Sequence, residues 1–308
     1  MMLDTLTPAL LTVITAATPL LFAALGEMIT EKSGVLNLGV EGMMLMGAIG
    51  GFIVVTQTDS VLLAIIVSAL AGAALAGIFA VLVLVFQASQ VPTGLALTIF
   101  GVGLSALLGQ GMIGVAYTGL PKIAIPGLAS IPVLGDLLFN HDIMVYLSIV
   151  MLFAIRYFIN KTRGGLILRA VGDSHDAAHA LGYKVNLIRG LAILFGGAMA
   201  GLGGAYVSMA YSPLWVEGMT AGRGWIALAL VVFAAWRPTR ILFGAYLFGG
   251  ISILQLHAQA IGIHVPSQIM SMLPYVATIL VLVLISRDRA RIKLNAPASL
   301  GKPFHPGH

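Results

Sequence analysis

A carboxylate, Glu41, lies in a stretch that is otherwise apolar enough to enter a bilayer, with Asn37 four residues before it. Burying an ionised carboxylate in hydrocarbon is costly, so such residues normally face the protein interior or a water-filled path. Residues four apart on a helix share a face, so this pair is suited to binding the hydroxyls of a polar solute. The alternative is that an arginine, or backbone amides at a helix break, satisfies Glu41. The pattern therefore predicts a substrate pathway, a gate or an internal support.

The tetrapeptide at Val40–Met43 recurs at Val216–Met219, so that Glu217 is a second carboxylate in the same local sequence. The predicted topology brings the two copies into the membrane from opposite sides. That arrangement is typical of an inverted repeat, in which related halves surround a site near the midplane. We therefore predict that Glu41 and Glu217 are related by pseudo-symmetry and lie at the pathway or gate.

Two further side chains follow Glu217 and belong to the same candidate site. Arg223 is six residues on, and an ion pair with Glu217 would offset the cost of placing both charges in the membrane. Trp225 is suited either to anchoring at the membrane interface or to stacking on a base or sugar ring. His257 and His264 lack a third ligand nearby, so no metal site is predicted. No nucleophile and base set that would indicate an enzyme is present.

The elements that must position these residues are transmembrane helices. Hydrophobic residues make up 59% of the chain and charged residues 9%, against about 25% charged in soluble domains. A spanning helix needs about 20 apolar residues. We predict an all-α polytopic fold with about nine spans, and eight or ten as alternatives, in one domain over residues 1–308. The predicted spans are 8–28, 36–56, 61–86, 93–113, 142–160, 187–210, 222–236, 241–262 and 267–286. Segment 222–236 is short enough to be a broken or half-length helix.

The basic residues predict the orientation. Of the 16 lysines and arginines, only Lys122 and Arg223 lie on one side of this topology. By the positive-inside rule the other side is cytoplasmic, as is the tail 287–308, and the N-terminus is outside. Pro303 and Pro306 in that tail predict disorder. The net charge of +5 is spread over loops that flank the membrane, so no nucleic-acid partner is predicted.

One loop on the cytoplasmic side, 161–186, is too structured to be a simple linker. Asp173 suits the N-cap of a short helix, Asp176 favours its positive end, and Gly182 suits the position after its last turn. A helix of about two turns is marginal alone in water, so it must rest on something. Either its own membrane domain or a cytoplasmic partner provides that surface.

Several segments then resemble a known family. GEMITEKSGVLNLGVEGMMLMGA (26–48), QVPTGLALTIFGVGLSALLG (90–109) and GRGWIALALVVFAAWRP (222–238) are similar to permease subunits of bacterial ABC importers of the ribose and nucleoside class. RAVGDSHDAAHALGYKV (169–185), followed by GGAMAGLGGA (196–205), resembles the region of these subunits that couples to the ATPase. The first segment resembles the nucleoside branch, which transports guanosine and other nucleosides.

The resemblance implies a transporter subunit of the bacterial inner membrane that is not itself an enzyme. ATP and magnesium would bind to a separate ATPase with two nucleotide-binding modules, and no cofactor to this chain, which lacks a GxxxxGK[ST] loop. A second, homologous permease would complete a heterodimer, and an extracytoplasmic lipoprotein would deliver the nucleoside. A simple sugar is the alternative substrate, and an ion-coupled secondary transporter the alternative class. The implied coupling residues are Arg169, Gly172, Asp173, Asp176, Ala178, Leu181 and Gly182.

Overall fold

The computed structural model describes residues 2–127, 131, 134–260, 269, 272–273, 276, 279–280, 283 and 295–305. These residues form eleven α-helices and one small two-stranded antiparallel sheet. The first helices are α1 (Met2–Lys32), α2 (Val40–Thr58), α3 (Val61–Ala80, continued by a π-turn over Val81–Val85) and α4 (Gln90–Gly109). The strands β1 (Lys122–Ala124) and β2 (Asn140–Asp142) flank α5 (Leu134–Phe139). The remaining helices are α6 (Ile143–Lys161), α7 (Arg163–Asp173), α8 (His175–Ala180), α9 (Val185–Tyr206, continued by a π-turn over Val207–Tyr211), α10 (Arg223–Phe233) and α11 (Pro238–Ala260).

Six helices in the described part of the chain are long and apolar enough to cross a membrane. They correspond to the first six predicted spans and cover Leu10–Lys32, Val40–Thr58, Val61–Val85, Gln90–Met112, Ile143–Lys161 and Val185–Tyr211. Two shorter apolar helices, Arg223–Phe233 and Pro238–Leu254, occupy the seventh and eighth predicted segments. Most of the ninth, 267–286, lies outside the described residues. A total of nine spans is therefore not confirmed.

Helix α9 packs against α1, α2 and α3 at the centre of the bundle. Glycines allow the close approach of these helices, because small residues let backbones meet in a membrane. A Cβ atom built on Gly204 of α9 would lie 1.7 Å from the carbonyl oxygen of Met44 in α2. One built on Gly47 would lie 2.2 Å from the carbonyl oxygen of Gly201. These two crossing points fix α2 against α9.

The chain between α9 and α11 consists of an irregular stretch followed by a short helix. Trp215 is buried against Ala48 and Phe52 of α2, in a stretch without regular helix. The short helix α10 then begins at Arg223, and beyond its last turn Trp236 contacts the end of α1. Segment 222–236 therefore contains a half-length helix, which was one of the two predicted alternatives for it.

The two ends of the bundle differ in charge. Helix α1 ends at Lys32, where α7 packs, and Arg189 near the start of α9 donates to the carbonyl of Gly34 just beyond. We call this the basic end. At the opposite end, the hydroxyl of Tyr206 donates to the carboxylate of Asp142 at 3.1 Å.

Candidate functional site

The carboxylate of Glu41 caps the N-terminus of α10 by accepting hydrogen bonds there. Glu41 is in the first turn of α2 and is 7% exposed. Its Oε1 accepts hydrogen bonds from the hydroxyl of Thr220 at 2.6 Å and from the backbone N–H of Gly222 at 2.8 Å. Its Oε2 accepts from the N–H of Gly224 at 2.6 Å. A helix N-terminus favours a negative charge and leaves free N–H groups, so α10 satisfies this anion internally.

Gly224 is the residue that lets α2 and α10 meet. A Cβ atom there would lie 2.5 Å from the backbone nitrogen of Glu41 and 2.6 Å from its Cα atom. Any side chain at this position would therefore push α10 off the carboxylate. The predicted alternative, in which backbone amides at a helix break satisfy Glu41, describes this contact. The amides belong to Gly222 and Gly224, which are about 180 positions away in the chain.

Asn37 does not share a helix face with Glu41, contrary to the prediction. It lies in the break between α1 and α2, where its Oδ1 accepts from the N–H of Gly39 at 2.9 Å and its Nδ2 contacts the sulfur of Met43 at 3.4 Å. This local turn competes with helix, so α2 starts only at Val40. Asn37 is fully buried and therefore supports the break from inside.

Helix α4 holds the other side of this break. Gln90 accepts from the N–H of Leu36 at 2.8 Å, and Thr98 donates to the carbonyl of Leu38 at 2.9 Å. Sequence reasoning missed both side chains as site residues. The signal was available, because both lie in the 90–109 block that carried the family resemblance.

Two buried carboxylates on α1 complete the surroundings of the break. Glu27 accepts from the N–H of Asn37 at 3.2 Å, and Glu31 accepts from the indole N–H of Trp236 at 2.5 Å. Each of these carboxylates is 1% exposed. Segment 222–236 is thus held at one end by Glu41 and at the other by Glu31, and these two residues flank the break.

The second copy of the tetrapeptide differs in local structure from the first. Val216–Met219 lies in non-helical chain and Glu217 is exposed, whereas Val40–Met43 opens a helix. Thr220, just after the second copy, donates to Glu41, so the two copies lie near each other. Glu41 and Glu217 thus have unlike surroundings, and their relation by an inverted repeat stays a prediction.

The predicted ion pair between Glu217 and Arg223 is also wrong for the described part of the chain. The Arg223 guanidinium donates to the carbonyls of Met219 at 3.2 Å and Thr220 at 3.1 Å, and lies 4.8 Å from the ring centroid of Tyr211. Carbonyls at the turn before α10 and an aromatic face replace the carboxylate as its partners.

The predicted coupling loop 161–186 contains two helices, α7 and α8, instead of one. Ser174 caps α8, since its hydroxyl accepts from the N–H of Ala177 at 3.3 Å, and Asp173 is the last residue of α7. The predicted N-cap is thus off by one residue. Gly182 adopts a φ of +87° after α8, which agrees with the prediction.

The coupling residues divide into a buried and an exposed set. Ala178 is buried, and a Cβ atom on Gly172 would lie 2.1 Å from the carbonyl oxygen of Lys32. Asp176 and Leu181 are exposed, and Leu181 is 75% accessible. Arg169 is partly exposed, and Asp173 and Gly182 are exposed. The set therefore has one side against the bundle and another available to a partner.

No group of three or more His, Cys, Asp or Glu side chains suited to a metal ion occurs where the structure describes the chain. The side chains of His257 and His264 lie outside the described residues.

Comparison with known proteins identifies the family of this chain. The family described as branched-chain amino acid transport system, permease component, matches residues 9–284. The chain belongs to this permease family. A putative glucose ABC transporter permease, TsgC13 of Haloferax volcanii, is 40% identical over 94% of the chain and 95% of its own length. The nucleoside ABC transporter permease NupC of Lactococcus lactis is 33% identical over 87% of the chain and 89% of its own length. The guanosine ABC transporter permease NupQ of Bacillus subtilis is 32% identical over 94% of each. No solved structure gives a significant match.

These matches confirm the predicted resemblance to ABC transporter permeases, and with it a multi-pass membrane protein that is a transporter component. They do not separate nucleosides from sugars, because glucose and nucleoside permeases both occur among the relatives.

The permease carries a titratable side chain at the junction of its coupling helices. His175, the first residue of α8, is 5% exposed. Burial, together with the charges of Arg189 and Lys302, lowers the pKa of His175 to about 4, although Asp176 and a hydrogen bond with Ser33 oppose this. The imidazole is therefore neutral in the folded permease at neutral pH.

We expect the permease to lose stability as the pH falls from about 6.5, the ordinary pKa of histidine, towards 4. In this window the unfolded chain binds a proton at His175 and the folded chain does not, so protonation favours unfolding. The measurement is the thermal unfolding midpoint of the detergent-solubilised permease at several pH values. A His175→Leu variant should show a smaller drop across the same window, and an equal drop would contradict the prediction.

Proposed function

We propose that this permease is the transmembrane subunit of an ATP-binding-cassette importer for nucleosides, working by alternating access. The observation that carries the proposal is the discontinuous segment 212–236, whose half-length helix begins inside the bundle and is held by a buried carboxylate. Transporters commonly place substrate sites at such broken helices, because irregular backbone at membrane depth is tolerated only against protein or a water-filled path. The nucleoside and guanosine permeases among the relatives support the substrate.

The basic end of the bundle is the cytoplasmic end in this proposal. It holds Lys32, Lys161, Arg163, Lys184 and Arg237, and the positive-inside rule assigns such an end to the cytoplasm. The C-terminal residues 295–305, which contact Lys32, then lie on the cytoplasmic side.

The pathway runs along the open side of segment 212–236. Glu217 is exposed, Arg223 is half-buried, and Trp225 is 37% exposed on the first turn of α10. These side chains offer a carboxylate, a cation and an aromatic face to a neutral ring with hydroxyl groups. The homologous partner permease supplies the opposite wall.

Movement reaches this pathway through the break between α1 and α2. ATP and magnesium bind to the separate cytoplasmic ATPase, which contacts the exposed side of α7 and α8. A displacement of these helices moves the break against which Gly172 packs. Because Glu31 and Glu41 flank the break and hold the two ends of segment 222–236, α10 moves with it.

The test is uptake by the complete complex, reconstituted in liposomes from this permease, its partner permease, the ATPase and the lipoprotein. We expect ATP-dependent uptake of labelled guanosine that unlabelled nucleosides compete away and glucose does not. ATP-dependent uptake of labelled glucose in place of guanosine would support the second candidate, a sugar importer, which the 40% identical putative glucose permease favours. Uptake by this permease alone, driven by a proton gradient without ATPase, would overturn both.

A further inference from the structure

The C-terminal residues 295–305 form an ordered segment that crosses the basic end of the bundle, contrary to the disorder that the prolines predicted. We call it the C-terminal strap. Phe304 in this strap is 6% exposed and Ser299 is 7% exposed, so these two side chains pack against the protein. Residues 287–294 and 306–308 lie outside the described part of the chain.

The strap is bonded to the break between α1 and α2. The N–H of Gly301 donates to the carbonyl of Gly34 at 3.2 Å. The guanidinium of Arg189 bridges the same two segments, donating to the carbonyl of Gly34 at 3.2 Å and to that of Lys302 at 3.1 Å. The ammonium of Lys32 donates to the carbonyl of Asn295 at 2.6 Å. Two buried cations therefore use strap carbonyls as acceptors.

The strap is also bonded to the coupling helices. The N–H of Ser299 donates to the carbonyl of Gly172 at 2.9 Å, and its hydroxyl donates to that of Asp173 at 3.2 Å, so it satisfies the end of α7. Phe304 lies edge-on to His175 and His179 of α8, with ring centroids 5.9 and 5.4 Å away. It shares an apolar cluster with Val171, Ala178 and Val185.

We propose that the C-terminal strap is a positioning element of transport, which joins the α7–α8 pair to the break so that the two move as one body. Without it, α7 and α8 keep direct contacts with the bundle at Gly172. The carbonyls at the end of α7 would lose hydrogen-bond donors, and the buried cations Lys32 and Arg189 would lose acceptors. Buried groups left without partners loosen a junction. The role of the strap in transport rests on the proposed function, whereas its mechanical role does not.

The first experiment measures the junction without transport. Hydrogen exchange is followed by mass spectrometry in the detergent-solubilised permease, comparing Phe304→Ala with His305→Ala, a change at the exposed neighbouring residue. We expect Phe304→Ala to speed the exchange of amides 33–39 about tenfold or more, although Phe304 touches α8 and not the break. His305→Ala should leave these amides unchanged. Unchanged exchange at 33–39 in Phe304→Ala would overturn the proposal.

The second experiment measures coupling in the reconstituted complex. Ser299→Pro removes the N–H that bonds Gly172, and Phe304→Leu keeps an apolar side chain as a conservative control. We expect Ser299→Pro and Phe304→Ala to assemble with the ATPase and hydrolyse ATP, but to transport about fivefold less substrate per ATP or worse. Phe304→Leu should keep most of the wild-type ratio of substrate transported to ATP hydrolysed. If the wild type transports and the strap variants match it, the strap inference fails alone; if the wild type does not transport, the proposed function fails.

Discussion

Glu41→Gln should abolish most transport, because glutamine cannot satisfy the donors that surround this site. Glu41 accepts from Thr220, Gly222 and Gly224, so both of its oxygens face N–H or O–H groups. In glutamine one of these oxygens becomes an NH₂ group that points at a donor. A buried donor left unsatisfied costs about 1–3 kcal/mol. The charge at the N-terminus of α10 is also lost, which removes a further contribution of about 0.3–1 kcal/mol.

The measurement is ATP-dependent uptake together with the thermal unfolding midpoint, and we expect uptake to fall about tenfold or more for a loss of 1.4 kcal/mol or greater at the contact between Glu41 and α10. Glu217→Gln is the matched control, since it makes the same chemical change in the same tetrapeptide on an exposed side chain. It should leave the unfolding midpoint unchanged. Equal midpoints for the two variants would show that the Glu41 bonds do not hold α10.

Gly204→Ala should prevent the permease from reaching its folded state in useful yield. The added Cβ atom would lie 1.7 Å from the carbonyl oxygen of Met44, where no flexible side chain can move aside. Helices α2 and α9 would have to separate along the centre of the bundle. Overpacking typically costs about 1–3 kcal/mol and more when backbone must move.

The measurement is the yield of monodisperse protein after solubilisation, with the unfolding midpoint of what remains. Gly103→Ala is the control within another span, because no atom lies within 4 Å of a Cβ atom built there. It should match the wild type or exceed it slightly, since alanine favours helix by up to about 1 kcal/mol over glycine. A normal yield of Gly204→Ala would mean that α2 and α9 do not cross this closely.

The parts of the fold that the sequence predicted were those written in local patterns. Of the nine spans predicted from long apolar runs, the first six correspond to long apolar helices in the described residues, because hydropathy over about 20 residues is a property of the run itself. The short length of 222–236 predicted a half-length helix. Gly182 predicted the end of the coupling-loop helix, where it adopts a positive φ after α8. The predicted N-cap, Asp173, is off by one residue, because the adjacent Ser174 is also of a type that suits a helix N-terminus.

The parts that escaped prediction depend on contacts between distant residues. The partners of Glu41 are about 180 residues away and are mostly backbone N–H groups, which carry no side-chain signal. Arg223 was paired with Glu217 because opposite charges are visible in a sequence, whereas the carbonyls that it contacts are not. The strap was missed for the same reason. Its contacts are made mostly by backbone carbonyl and N–H groups, which every residue type has, and its prolines suggested disorder.

The position of the strap also has a consequence for biosynthesis. The break at 33–39 forms near the start of the chain, yet some partners of Gly34, Lys32 and Arg189 come from residues beyond 294. Because N-terminal parts emerge from the ribosome first, the buried cations Lys32 and Arg189 lack one of their hydrogen-bond acceptors until residues 295–302 are made. A chain truncated before the strap would then carry an incompletely bonded junction between α1, α7 and α9.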